Sequence, residues 1–566
     1  MGCLCLLQAS ALDIPKGTFY FDNSITRYSH VKFVYGSNNS NVTYVLSMTD
    51  EGNNRWAITI PETVHNMYRY CFAETSLPDG LRAETFPTVK DYISLTLNEN
   101  RTTTSDVAIP VGGIYVPTNN DKWAPGAWQT VRDPNQKPYS GTLPVLFINT
   151  EAPINDKDTY VRGTYYIDAL GLEGYVSLGS ADAPLGLQMK GRGNYTWNDF
   201  DKKPYRLKLD EKASPLGMKN NRHFTLLAHA DDELGLLRNT VGFELSRLLG
   251  LAYTPEQQPV EVVLNGDYIG LYMLTDKIRV GKQRVNIVEQ RDLCTDPDSI
   301  TGGWLLEINN YDESQQVRMT EGNGAMLRVN YHTPEMLSTQ QLQYITDYLK
   351  ATDRAIYAQD KSSTDWERYI DMDVLARYYI VQEVLDDAES FHGSCYFYKD
   401  MGSESKFMFG PVWDFGNSFR RGLDQFIYDN SPYGQNWIGE IARFPRFQQQ
   451  VKTLWQHFKG NAYDSLDGFI DGFVDHIAIA VESDAQRWPR YGNSGITNRK
   501  NEFKRRMNEK VRFLCRKWGE GVVGIETTTA QPDFDERWYT LDGRLLSRRP
   551  AKAGVYIRGG RKVVVR

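Results

Sequence analysis

The chain has 566 residues, enough for roughly three structural units of ordinary size. Hydrophobic residues make up 41% and aromatics 12%, with 34 Tyr and 12 Trp, which excludes a disordered chain. The net charge of −7, from 64 Lys plus Arg against 71 Asp plus Glu, creates no field that would gather nucleic acid or anionic lipid, and no apolar run approaches the ~20 residues of a membrane span.

Residues 1–12 carry a short apolar stretch followed by the small-x-small triplet Ala9-Ser10-Ala11, the pattern at the end of a secretory signal with cleavage after Ala11. A basic n-region is missing, so the stretch reads as a signal remnant whose start lies upstream; an ordinary N-terminal strand is the competing reading. Cys3, Cys5, Cys71, Cys294, Cys395 and Cys515 lie far apart without a C-x-x-C pair, which gives neither a zinc cage nor a disulfide framework.

Residues 13–138 show short alternating runs such as "TFYF", "VKFVYG" and "RWAITI", separated by Asn, Gly, Asp and Pro turns. That pattern predicts an antiparallel β-sandwich. Its aromatics either fill a core or stack on the sugar rings of a glycan partner. From 140 to 520 strands alternate with long helical patterns, which predicts an α+β body.

Four segments of that body point to chemistry. In "LQMKGRGNYTWNDFDKKPYRLKLD" two strand-like runs flank a turn with Gly191, Arg192, Gly193 and Asn194. The glycines allow backbone amides to approach an anion, and Lys203, Arg206 and Lys208 follow on the next strand; the alternative is a surface hairpin with solvated bases. In "DDELGLLRNTVGFELSRLLG", Leu237, Val241, Leu245 and Leu248 recur at helical spacing, with Asp232 placed to cap the helix and Gly250 to end it. Arg238 and Glu244 flank the stripe, where charges are usually solvated.

"PVEVVLNGDYIGLYMLTDKIRV" reads as a hairpin around Asn265-Gly266, with Asp276 and Lys277 ending its second strand. Val374, Tyr378, Val381 and Leu385 then mark a helix. It leads into polar "DDAESFHGS", a strand "CYFYKD", a turn, and a strand "KFMFGPVWD" that ends at Asp414 of an Asp-Phe-Gly tripeptide. Helix, catalytic loop, two short strands and Asp-Phe-Gly is the order found in protein kinases. Glu389 and Ser394 stand five apart in that loop, the spacing of the kinase catalytic Asp and metal-binding Asn. His392 lies between them, as a proton-transfer group or a structural hydrogen-bonding residue. No G-x-x-x-x-G-K-[ST], G-x-S-x-G or H-E-x-x-H motif competes.

The tail, 523–566, returns to strands with Gly turns, forms a small β module, and resembles the C-terminal modules of exported Gram-negative surface proteins. With the signal remnant, it predicts a protein that is secreted, periplasmic or on the cell surface of a Gram-negative bacterium.

"MKGRGNYTW" with "KKPYRLKL", "LLAHADDELGLLRNTVGFELSRLLG", "VEVVLNGDYIGLYMLTDK" and "FGPVWDFGNSF", in this order over about 143–460, resemble the spore coat protein H (CotH) kinase family. The resemblance implies an atypical, minimal protein-kinase-like fold that uses ATP and a divalent metal, Mg2+ or Mn2+, to phosphorylate an acceptor protein. By position it makes Asp414 the metal-binding Asp, Glu389 the catalytic-loop base and Ser394 a second metal ligand. Arg192, Gly193, Asn194, Lys203, Lys208 and Asp276 fall to the nucleotide. Two departures matter. Glu389 is one methylene longer than Asp, and a displacement of ~1 Å can cost on the order of a hundredfold in rate. Ser394 offers a hydroxyl where a carboxamide oxygen is expected. Asp386 and Asp387 can substitute from the helix end, and Asp387 joins the catalytic candidates. A catalytically impaired scaffold that binds glycan or protein, and an adenylyl rather than phosphoryl transfer, stand as the alternatives.

Overall fold

The structure is a computed structural model; it describes residues 139–521, except 231–235, 430, 432–433 and 489–494, together with short strands and turns on either side of that range. The Ala9-Ser10-Ala11 triplet and Asp232 lie outside the described residues. Two compact units account for the chain, the first from residues 1–230, 258–274 and 477–493, the second from 231–257, 275–476 and 494–566.

The first unit opens with small sheets. Gly17–Asp22 pairs antiparallel with Arg55–Ile60, while Ile114–Tyr115 lies parallel to the same strand. Phe21, Tyr28 and Phe33 are buried there, and the Phe21 and Tyr28 rings stack at 5.9 Å, so these aromatics serve a core.

After them comes a closed barrel of β1 (Val145–Thr150), β2 (Val161–Asp168), β3 (Leu185–Gly191), β4 (Tyr205–Ala213), β5 (Asn221–Leu227), β6 (Gln257–Leu264) and β7 (Asp267–Asp276). The strand order is β1-β2-β3-β4-β5-β7-β6, and β1 closes the ring by running parallel to β6 with Val145 opposite Glu261. Alternation decides what faces inward: Leu187, Met189, Tyr205, Leu207 and Leu209 are core, while Gln188, Lys190, Arg206 and Lys208 occupy the opposite face. Asn265 (φ 51) and Gly266 (φ 84) form the β6–β7 turn. Positive φ at both central residues is the type I′ geometry that Asn-Gly favours. Asn265 Oδ1 accepts the Thr150 N–H at 2.7 Å, tying this turn to the end of β1.

The second unit is built on an antiparallel sheet and helices. The sheet contains β8 (Trp304–Ile308), β9 (Gln316–Thr320), β10 (Met326–Thr333), β11 (Cys395–Lys399) and β12 (Met408–Phe409), in the order β9-β10-β8-β11-β12. Its helices include α1 (Leu237–Leu248), α2 (Thr339–Ile356), α3 (Met372–Val384), α4 (Pro445–Asn461), the first part of α5 (Ser465–Arg487) and α6 (Ile496–Trp518). Leu237, Val241 and Leu245 are buried as their spacing predicts, and Gly250 (φ 73) ends α1 by donating its N–H to Arg247 O. The chain is α+β.

Two local expectations change. The turn at Gly191–Asn194 is not a tight hairpin, because a one-turn helix, Tyr195–Asp199, intervenes before β4. The strand expected through "KFMFGPVWD" pairs with β11 only at Met408–Phe409; Pro411 has no N–H with which to continue the ladder. Beyond α6, Trp538–Tyr539, Leu545–Leu546, Gly554–Arg558 and Arg561–Val565 form a four-stranded antiparallel sheet.

Candidate active site

The second unit brings together the loop after α3 and the Asp-Phe-Gly segment. Helix α3 starts where the Asp371 carboxylate accepts the Val374 N–H at 2.9 Å, and it buries Leu375, Tyr378 and Val381. It stops because Asp386 turns into the left-handed region at φ 48. Phe391 (φ 67) and Ser394 (φ 51) repeat that turn within the same loop, and Asp414 (φ 61) and Phe419 (φ 59) do so on the facing segment. Each such non-glycine residue costs roughly 1–2 kcal/mol, so packing must hold these five in place.

Three carboxylates meet here, differently partnered. Glu389 accepts a hydrogen bond from Asn310 Nδ2 at 2.9 Å on Oε1, and another from Asn417 Nδ2 on Oε2. Gly393 makes room for this pairing: a Cβ there would stand 2.5 Å from Asn310 Nδ2 and 2.7 Å from Glu389 Oε1. Asp414 is exposed and accepts from Ser394 Oγ at 3.2 Å. Asp387 is buried and bridges to Ser418 across the two segments, and its Oδ1 has no hydrogen-bond partner. Burial first, then the charges of Glu389 and Asp414, push its carboxyl well above the usual carboxylate range.

The tripeptide is gripped by α1. Asn239 Oδ1 accepts the Phe415 N–H at 2.9 Å, and Arg238 Nη1 donates to Gly416 O at 2.9 Å. Gly242, one turn on, leaves the space that the Phe415 ring fills; a Cβ there would lie 2.2 Å from Phe415 Cε2. Trp413 stacks on Phe243 at 5.9 Å. Arg238 is thus buried rather than solvated, whereas Glu244 pairs with Arg247 at 2.9 Å. Asn310, Asn417, Asn239 and Gly393 escape sequence reading because amides and glycines carry no charge or periodicity to mark them.

The remaining candidates sit as follows. His392 is largely buried, with Nε2 3.5 Å from Ser431 Oγ, and burial lowers its pKa to about 4. Asp276 is fully buried; its carboxylate pairs with Arg284 and accepts from Tyr253 Oη and the Glu256 N–H, both at 3.3 Å. In the first unit, the loop that carries Arg192, Gly193 and Asn194 is tied to the loop between β1 and β2 and to the start of β4. The Gly191 N–H goes to Asp156 O and the Arg192 N–H to Pro204 O. Asn194 Oδ1 accepts from Lys157 Nζ at 2.6 Å, and Lys203 Nζ donates to Trp197 O at 2.6 Å. Lys208 lies on the outer barrel face opposite Gln188 and His223, one register step from the Lys190–Arg206 pair. Cys294, Cys395 and Cys515 are free thiols.

Among the described residues, no group of three or more His, Cys, Asp or Glu side chains is spaced to hold a metal ion. The donors present nonetheless suit Mg2+. Asp414 and Ser394 offer hard oxygens side by side, and Mg2+ is ordinarily held by one or two carboxylates, with phosphate and water completing its shell. The buried, unpartnered oxygen of Asp387 fits a site meant to receive positive charge.

A family model described as CotH kinase protein matches residues 189–515. No curated protein matches the chain. No helix among the described residues is long and apolar enough to cross a membrane.

Proposed function

The chain belongs to the CotH kinase protein family, and on that premise we propose that it transfers the γ-phosphoryl group of Mg-ATP to a hydroxyl of an acceptor protein, outside the cytoplasm. The observation that carries this reading is the pairing of Glu389, fixed at both carboxylate oxygens by Asn310 and Asn417, with an exposed Asp414 clamped by α1.

Glu389 is the general base. The two amide donors fix the orientation of its carboxylate despite the extra methylene, with lone pairs left for the acceptor hydroxyl's proton. Asp414 and Ser394 would hold the Mg2+ of the nucleotide, which when bound would neutralise charge on the phosphates. Asp387 lies beside Glu389 and Asp414, and their charges with its burial hold its carboxyl toward the protonated form until positive charge enters the site. Within the first unit, and as a separate proposal, the basic face of β3 and β4 supports phosphate binding by Arg192, Gly193, Asn194, Lys203 and Lys208.

The test is intact mass after incubation with Mg-ATP, for wild type and Asp414→Asn, with and without added dephosphorylated casein as acceptor. The expected result is a gain of one or more phosphoryl groups that the variant loses. A gain of one adenylyl group would replace this reading with nucleotidyl transfer, and transfer undiminished in the variant would remove Asp414 from the site.

A further inference from the structure

The last helix of the second unit carries one charged residue where its apolar stripe should continue. Phe503, Met507, Val511, Leu514 and Trp518 are the buried face of α6, and Lys510 lies among them with 0% exposure. An ammonium costs several kcal/mol to desolvate unless it is paired and hydrogen-bonded. Lys510 Nζ meets that condition: it is ion-paired with Glu383 Oε2 at 2.9 Å and with Asp386 Oδ1 at 2.8 Å, and it donates hydrogen bonds to Asp386 Oδ1 and, at 2.6 Å, to the backbone carbonyl of Gln425.

These partners come from the two segments that make the site. Glu383 is in the last turn of α3, and Asp386 is the left-handed residue that turns the chain out of α3 into the loop of Glu389 and Ser394. Gln425 belongs to the stretch that follows Asp-Phe-Gly. The same helix takes hold of that stretch again, through Arg506 Nη1 to Phe419 O at 2.9 Å and Phe503 against Phe419 at 5.4 Å. Glu383 also reaches it directly, accepting the Ile427 N–H at 3.0 Å. Beside these contacts, Asp386 O accepts the Phe419 N–H at 3.4 Å.

The geometry points to Lys510 as a positioning residue for the transfer site: its ammonium, by joining Glu383, Asp386 and the Gln425 carbonyl, fixes the spacing between the loop of Glu389 and the segment of Asp414. Lys510 touches neither nucleotide nor acceptor and acts through the two segments it joins. Neutral replacement strands two buried carboxylates, so both segments move, and about 1 Å of misplacement is enough to cost on the order of a hundredfold in rate.

The inference rests on the kinase reading for its rate, though not for its structural content, and the test uses both arms on the full chain. Lys510→Met, Lys510→Arg and Asp386→Asn are compared with wild type for phosphoryl transfer from Mg-ATP to dephosphorylated casein, and for hydrogen–deuterium exchange. Lys510→Met is expected to lower kcat about a hundredfold with KM for ATP within about threefold. Lys510→Arg should recover part of the loss by keeping the charge. Exchange should rise together in peptides covering 386–394 and 415–428, and stay unchanged in the barrel strands. Unchanged exchange in both segments, or a melting temperature that falls while kcat holds, would overturn the proposal. If wild type transfers nothing, the kinase reading fails and exchange alone decides the role of Lys510. If Lys510→Met does not fold, Asp386→Asn, which breaks one of the two ion pairs, gives the same readouts.

Discussion

Asp387 is the least comfortable side chain of the site. It is buried, one carboxylate oxygen lacks a partner, and Glu389 and Asp414 stand close enough to raise its proton affinity further. A carboxyl group whose folded pKa is raised favours the protonated native state. Stability is therefore lost as pH climbs from the unfolded value of about 3.9 toward the folded one. Asp387→Asn keeps the shape and removes the charge, so its melting temperature should exceed that of wild type on the alkaline side and fall less as pH climbs above about 4. Thermal scans across that range check this, and parallel profiles would show that the burden lies elsewhere. At this scale the sequence was partly legible. Asp414, Glu389 and Ser394 are marked by motif and spacing, and the structure sets all three on the two facing segments. Asp276 shows the limit, since a carboxylate at a strand end looks alike whether it meets solvent or, as here, a buried Arg284 eight residues on.

Between elements, the grip of α1 on the tripeptide depends on a residue with no side chain. Gly242 in mid-helix costs up to about 1 kcal/mol against Ala by propensity. A methyl group there would enter the Phe415 ring, which is fully buried and has no room to retreat. Overpacking of that kind costs about 1–3 kcal/mol, so the clash outweighs the propensity gain. Gly242→Ala should therefore lower the denaturant midpoint and reduce transfer by tilting Asp414. Equal stability with full transfer would show that the ring repacks. The apolar stripe of α1 was readable from sequence, because 3.6-residue periodicity is local. That Arg238 faces inward was not, because its partner, Gly416 O, lies 178 positions away. The Asn265-Gly266 turn was readable for the opposite reason: its geometry is set by two adjacent residues.

For the molecule as a whole, the pH dependence of stability should be carried by buried carboxylates. Glu321 at the end of β9 is buried beside Asp353 of α2, and Trp437 Nε1 donates to Asp353 Oδ1 at 2.9 Å. Burial, then the Asp353 charge, raises Glu321 to about 8. The sign is again that of a raised acid: the native state keeps Glu321 protonated, and stability falls as pH rises from about 4.3 through about 8, after which this contribution is exhausted. Glu321→Gln should flatten the melting-temperature profile between about pH 5 and pH 8 and leave transfer at pH 7 unchanged. A profile that matches wild type would exclude Glu321 as a source of the slope.

By itself the sequence determined the α+β class, the apolar stripe of α1, the Asn-Gly turn, the motif segments that carry the family resemblance, and the kinase-like order of helix, loop, strand pair and Asp-Phe-Gly. Those features rest on short-range physics, in which side-chain period, turn dihedrals and motif spacing are fixed within a few residues. Only the tertiary structure decided that Arg238 and Asn239 hold the tripeptide, that Asn310 and Asn417 hold Glu389, and that Lys510 ties the loop to the segment it faces. Lys510 and Asp386 are 124 positions apart. A lysine on an apolar helical stripe announces that it must have a buried partner; which carboxylate answers is settled only when the chain folds and desolvation leaves no other way to satisfy the charge.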